Sequence, residues 1–106
     1  MLEDRVYEYL TANHVGKGKL IKNKNLRVKF GIQSDKALRK VIQNIRESKD
    51  YNKVIGSVSG KLGGFYVCEN KEEIQETIDN IRHRANQMLR MTHVLEWKKR
   101  RTKKGA

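Results

Sequence analysis

The order of apolar and polar positions divides the chain into four helical stretches, a short extended piece and a hairpin. Over residues 2–13, Leu2, Val6, Tyr9 and Leu10 recur on one side of a helix, and Glu3 and Asp4 sit in its first turn, where the helix dipole favours acids. Residues 13–18 break that pattern with two glycines and three polar side chains, which makes a loop with His14 at the surface. Leu20 and Ile21 form a short extended piece. A second helix over 23–30 carries Leu26 and Phe30 and stops at Gly31, a residue able to take the left-handed conformation of a helix end. Ile32 reads as a buried turn residue. Ser34 offers its hydroxyl oxygen to the free amides of a third helix, and Asp35 suits that helix's positive end. The third helix runs to about Ser48, with Ala37, Leu38, Val41, Ile42 and Ile45 on one face and Lys36, Arg39, Lys40, Gln43 and Arg46 on the other.

Residues 49–52 are a polar turn. Residues 53–58 are β-branched and extended in character, 59–64 form a turn-rich, glycine-bearing tip, and 65–69 form a second strand. Strand alternation puts Ile55, Phe65 and Val67 on the core side and Tyr66 and Cys68 on the outward side. The tip is not a phosphate-binding loop, because no Gly-Lys-Ser/Thr follows and it joins two strands rather than opening a helix. Asn70 then caps a last helix that has Lys71, Glu72 and Glu73 in its first turn and extends to about Arg101. Ile74, Ile78, Ile81, Ala85, Met88 and Leu95 keep a heptad rhythm in it, with Thr92 at the missing step. Two readings share this rhythm: Ile74 to Ile81 packs on the preceding domain, and Ala85 to Trp97 meets a partner, a two-fold dimer being favoured.

Charge changes the picture. The 106 residues carry a formal net charge of +12, with a pI near 10.0. Such a balance favours a polyanionic partner, nucleic acid before anionic membrane, over a merely solvated basic protein. Residues 14–53 hold twelve Lys or Arg (17, 19, 22, 24, 27, 29, 36, 39, 40, 46, 49, 53) against three acids (35, 47, 50), so the excess peaks over the paired central helices. A second basic run, Lys98 to Lys104, follows Trp97; it can track phosphates, fray as a terminus, or resemble a nuclear-localisation cluster by chance.

The chemistry of catalysis or metal binding is not legible. Cys68 is the single cysteine, so no internal disulfide forms and no zinc-site spacing is present, which fits a reducing compartment. His14, His83 and His93 are scattered, and the Asp79–His83 pair on the last helix is ordinary surface chemistry. The expectation is therefore no enzyme, no metal and no cofactor. No apolar run approaches membrane-spanning length, and MLEDRVYEYL lacks the charged-then-apolar order of a signal peptide, so no membrane partner is expected.

The order helix, strand-like piece, helix, turn, helix, hairpin is carried by LRVKFGIQSDKALRKVIQNIRES, KVIGS and GGFYV. It resembles the winged-helix family, in particular the small winged-helix proteins of bacteriophages and mobile elements of low-GC Gram-positive bacteria. The resemblance covers roughly residues 1–75 and leaves the long last helix and basic tail outside. It implies that Ser34, Asp35, Lys36, Arg39, Lys40 and Gln43 face a DNA groove and that Gly60, Lys61 and Gly63 lie in the wing. The expected fold is α+β, mainly α: a winged helix-turn-helix with a two-stranded wing over 1–70, a long C-terminal helix over 71–101 and a flexible basic tail over 102–106.

The expected function is sequence-specific binding of double-stranded DNA in the cytoplasm of a bacterial host, as a phage or mobile-element regulator of transcription or replication. Lys36, Arg39, Lys40 and Gln43 are the candidate base-reading residues, since Arg and Lys suit guanine and Gln suits adenine. Lys17, Lys19, Lys24, Ser34, Arg46, Ser59 and Lys61 are candidate phosphate contacts. Ile81, Ala85, Met88, Leu95 and Trp97 are candidates for a homodimer or partner contact. The alternative is a phage-encoded protein-binding winged helix that inhibits a host replication or transcription protein.

Overall fold

Apolar residues at helical spacing need a common partner, and those of the first three helices share one. The computed structural model describes residues 1–102. Among them it is α+β and mainly helical: α1 (Leu2–Asn13), a 3-10 turn (Lys17–Lys19), β1 (Ile21–Lys22), α2 (Asn23–Phe30), α3 (Asp35–Glu47), β2 (Ile55–Val58), β3 (Gly64–Val67) and α4 (Lys71–Arg101). The chain forms two compact units, Met1–Gln75 and Glu76–Ala106. None of the described helices is long and apolar enough to cross a membrane.

In the first unit, α1 contributes Val6 and Leu10, α2 contributes Leu26, and α3 contributes Leu38, Val41, Ile42 and Ile45 to a single buried cluster, which Ile21, Ile32, Ile55, Phe65 and Val67 close from the sheet and turn. Burying each such side chain favours folding by about 1.5–3 kcal/mol. Leu2, Tyr7, Tyr9, Phe30 and Tyr51 pack around its margin. Asn44 on α3 donates to the Glu3 carboxylate on α1 at 3.0 Å, a bond that holds the Glu3 carboxyl below its ordinary pKa.

The sheet is antiparallel, in the order β1-β3-β2. Ile55 pairs with Val67 and Val58 with Gly64, while Ile21 pairs with Phe65 on the other edge of β3. The expected two-strand hairpin is thus part of a three-stranded sheet. Residues 14–16 extend that second edge, with Gly16 N–H donating to Val67 O and Val67 N–H to His14 O, both at 2.8 Å.

Several expectations are corrected. Tyr66 and Cys68 do not face outward; they are 1% and 7% exposed. Alternation into solvent holds for a strand with one wet face, but both faces of β3 are covered: all four of its residues are buried, Phe65 and Val67 in the core cluster and Tyr66 outside it. Tyr66 also has a specific seat. Its ring lies over Gly56, its cross-strand neighbour, where an added Cβ would come 2.5 Å from Cζ. β2 starts at Ile55 rather than Lys53, and β3 ends at Val67 rather than Glu69. Ala37, expected on the apolar face, is exposed: at about 100° per residue it lies at the margin of the stripe made by Leu38, Val41, Ile42 and Ile45, on the side of the polar face. His14 is half-buried rather than a plain surface residue: Nδ1 lies 2.8 Å from Lys19 O and Nε2 3.4 Å from the Tyr9 hydroxyl, closing the loop that ends in the 3-10 turn. The first unit also reaches into α4. Asn70 Oδ1 accepts the Glu73 N–H at 2.9 Å, and the Glu73 carboxylate accepts the N–H groups of Glu69 at 2.8 Å and Lys17 at 3.1 Å.

Candidate functional site

The site is assembled by a turn and a helix start. α2 ends at Gly31 in the left-handed region (φ 64°), and the N–H of Ile32 returns to Arg27 O at 2.9 Å, satisfying a carbonyl the helix leaves open. Ile32 is buried and anchors the turn. Ser34 is the N-cap of α3; its Oγ accepts the Ala37 N–H at 3.1 Å, and Asp35 occupies the first turn.

Arg27 clamps this turn, a role its sequence position does not announce. Its Nη2 donates to Gln33 O at 2.7 Å, its Nε to Ile32 O at 3.4 Å, and its Nη1 lies 3.5 Å from Asp35 Oδ1. One planar guanidinium therefore fixes two carbonyls and the first carboxylate of α3, which sets the direction in which α3 leaves the turn.

The clamped helix presents Ser34, Lys36, Ala37, Arg39, Lys40 and Gln43 around one shallow open depression of about 480 Å³. All four candidate base-reading residues line it and are exposed. No carboxylate is among its lining residues; the side chain of Gln43 is oriented by its donation to Glu47 Oε1 at 2.9 Å. Arg and Lys with Gln on a single helix face can offer paired donors to planar acceptor edges, and Gln both donates and accepts.

The candidate phosphate residues are distributed differently. Ser34 lies at the depression, but its Oγ serves the cap. Arg46 lies one turn beyond and is turned to the hairpin: Nε donates to Ile55 O at 2.8 Å and Nη2 to Ser57 Oγ at 3.3 Å. It ties α3 to β2, and with them the position of the hairpin tip. Lys17 and Lys19 lie in the 3-10 turn, Lys24 in the first turn of α2, and Ser59 and Lys61 at the exposed tip; none of them lines the depression. Leu62, next to Lys61, is 76% exposed.

The candidate partner residues belong to the second unit. Ile81, Ala85, Met88, Leu95 and Trp97 are all exposed on α4. At about 100° per residue the first four fall on one stripe and Trp97 on the opposite side, where its ring meets the Arg101 guanidinium at 4.7 Å. Among the described residues no group of three or more His, Cys, Asp or Glu could hold a metal ion. Comparison with family models, curated proteins and solved structures found no match to this chain.

Proposed function

We propose that the chain binds double-stranded DNA sequence-specifically as a winged helix-turn-helix, with α3 in the major groove and the β2–β3 hairpin as the wing. The proposed role is regulation of transcription or replication for a phage or mobile element, in the cytoplasm of a bacterial host. One observation carries the reading: Lys36, Arg39, Lys40 and Gln43 lie exposed around one depression on α3, whose lining holds no carboxylate. An α-helix fits a major groove, and groove recognition needs donors of this kind at successive turns.

Two further features support it. The net charge of +12 supplies the phosphate-driven part of affinity. The Arg27 and Arg46 anchors fix α3 relative to the turn before it and the hairpin after it, so that groove contact and wing contact are made together.

Fluorescence anisotropy with a labelled random duplex over a salt series tests the reading. Binding should weaken linearly in log–log form as salt rises, and a site selected from a random library should bind more tightly than random duplex. Absence of duplex binding even at low salt would refute it. The protein-inhibitor reading draws instead on the exposed apolar residues of α4. It predicts that one host replication or transcription protein is retained from lysate while duplex is not.

A further inference from the structure

From Ile78 to Arg101 every residue of α4 is exposed, and Ile78, Ile81, Met88, Leu89, Met91 and Leu95 are among the bare apolar side chains. A single helix is marginal in water, and most helical stability in proteins comes from packing an apolar face. Ile78, Ile81, Ala85, Met88, Thr92 and Leu95 form such a face, in four–three spacing. Thr92 is no obstacle: its hydroxyl already donates to Leu89 O at 2.7 Å, so burial at this position orphans no donor.

We propose that this face is covered by a second copy of α4 lying antiparallel, with Ile78 against the partner's Leu95, Ile81 against the partner's Thr92 and Ala85 against the partner's Met88. The inference concerns α4 alone and does not depend on the nucleic-acid reading.

Two independent features select a second copy and its direction. The first is charge. The helix has Glu72 and Glu73 in its first turn, with Glu76 and Asp79 following, and Lys98, Lys99, Arg100 and Arg101 in its last turn. In the antiparallel register the basic end of each copy lies beside the acidic start of the other. A parallel pair would instead bring the two basic ends together and set Lys99 against the partner's Lys99, which like-charge repulsion opposes.

The second feature is volume. Antiparallel layers set small against large, Ala85 on Met88 and Thr92 on Ile81, which evens the packing. A parallel pair would set Ala85 on the partner's Ala85 and leave a gap in that layer. The same register places Arg82 and Arg84 beside the partner's Leu89 and Met91, where their aliphatic stems cover these flanking residues.

Disulfide trapping tests the proposal on the full chain. Ile78→Cys and Leu95→Cys are made separately; both positions are exposed, so the fold tolerates them, and peptide mapping distinguishes their sulfurs from the buried native Cys68. An antiparallel pair keeps like cysteines about 26 Å apart, seventeen residues at about 1.5 Å each. Mild oxidation should therefore give a disulfide dimer only when the two variants are mixed, joining position 78 to position 95. Sedimentation of the unmodified chain should show a concentration-dependent dimer, weakened by the double change Lys98→Glu with Arg101→Glu. Self-linked dimers from either variant alone, a dimer tightened by the charge reversal, or a chain that stays monomeric at all concentrations would each overturn it.

Discussion

Arg27 sets three donor nitrogens on three acceptors around one turn, Ile32 O, Gln33 O and Asp35 Oδ1. Arg27→Ala should lower stability by about 1.5–3 kcal/mol, the range for hydrogen bonds made by a charged donor, as measured by denaturant unfolding. Arg27→Lys should recover only part of this, because an ammonium lacks the planar fork. In the sequence Arg27 is one of many basic residues, and charge counting assigns it no special place. Its partners are mainly backbone carbonyls, whose directions exist only once Gly31 has turned the chain.

Tyr51 gives a pH-dependent prediction at the same scale. Its hydroxyl donates to the Asp4 carboxylate, and this bond, with the nearby negative charge, pushes the phenol up to about 12 from an ordinary 10.0. A raised folded-state pKa contributes stability below the unfolded value and loses it as pH rises through the folded one. Between pH 10 and 12 the wild type should therefore lose stability relative to Tyr51→Phe, as followed by thermal unfolding. Parallel curves for the two proteins would contradict the Asp4 contact.

Among the elements, α3 and the hairpin are coupled through Arg46, while β3 is held on both edges, by β2 on one side and by β1 and residues 14–16 on the other. Helix periods were legible because the α1 and α3 stripes face one cluster: Val6, Leu10, Leu38, Val41, Ile42 and Ile45 are buried where their spacing places them. The Ser34 cap and the Gly31 stop were readable for the same local reason. Strand period gave the correct inner residues, Ile55, Phe65 and Val67, and the wrong fate for Tyr66. Nothing local announces that the second face of β3 is covered as well, or that a two-residue segment, Ile21–Lys22, pairs with it from a distance. The seat of Tyr66 is directly testable. Gly56→Ala should cost about 1–3 kcal/mol through overpacking against the ring, and Gly56→Ala combined with Tyr66→Leu should cost less than the two changes summed.

At the scale of the whole molecule, the positive charge and the exposed face of α3 both support the proposed DNA binding. Helical spacing grouped Lys36, Arg39, Lys40, Gln43 and Arg46 on one face; the first four do share a surface, while Arg46 turns to β2. The Lys and Arg residues assigned to phosphates were chosen by charge, and the fold disperses them: Arg46 into a bond with β2, Lys17 and Lys19 into the 3-10 turn, Lys61 to the hairpin tip. Charge identifies a kind of partner, whereas position on a helix identifies a role.

The most direct test of DNA reading through α3 is anisotropy with a selected and a random duplex, for wild type, Arg39→Ala and Lys61→Ala. Arg39→Ala should lose about 1–3 kcal/mol on the selected site and much less on random duplex. Lys61→Ala should weaken both duplexes alike and reduce the salt slope by about one. Equal losses on both duplexes for Arg39→Ala, or no loss at all, would contradict base reading by α3.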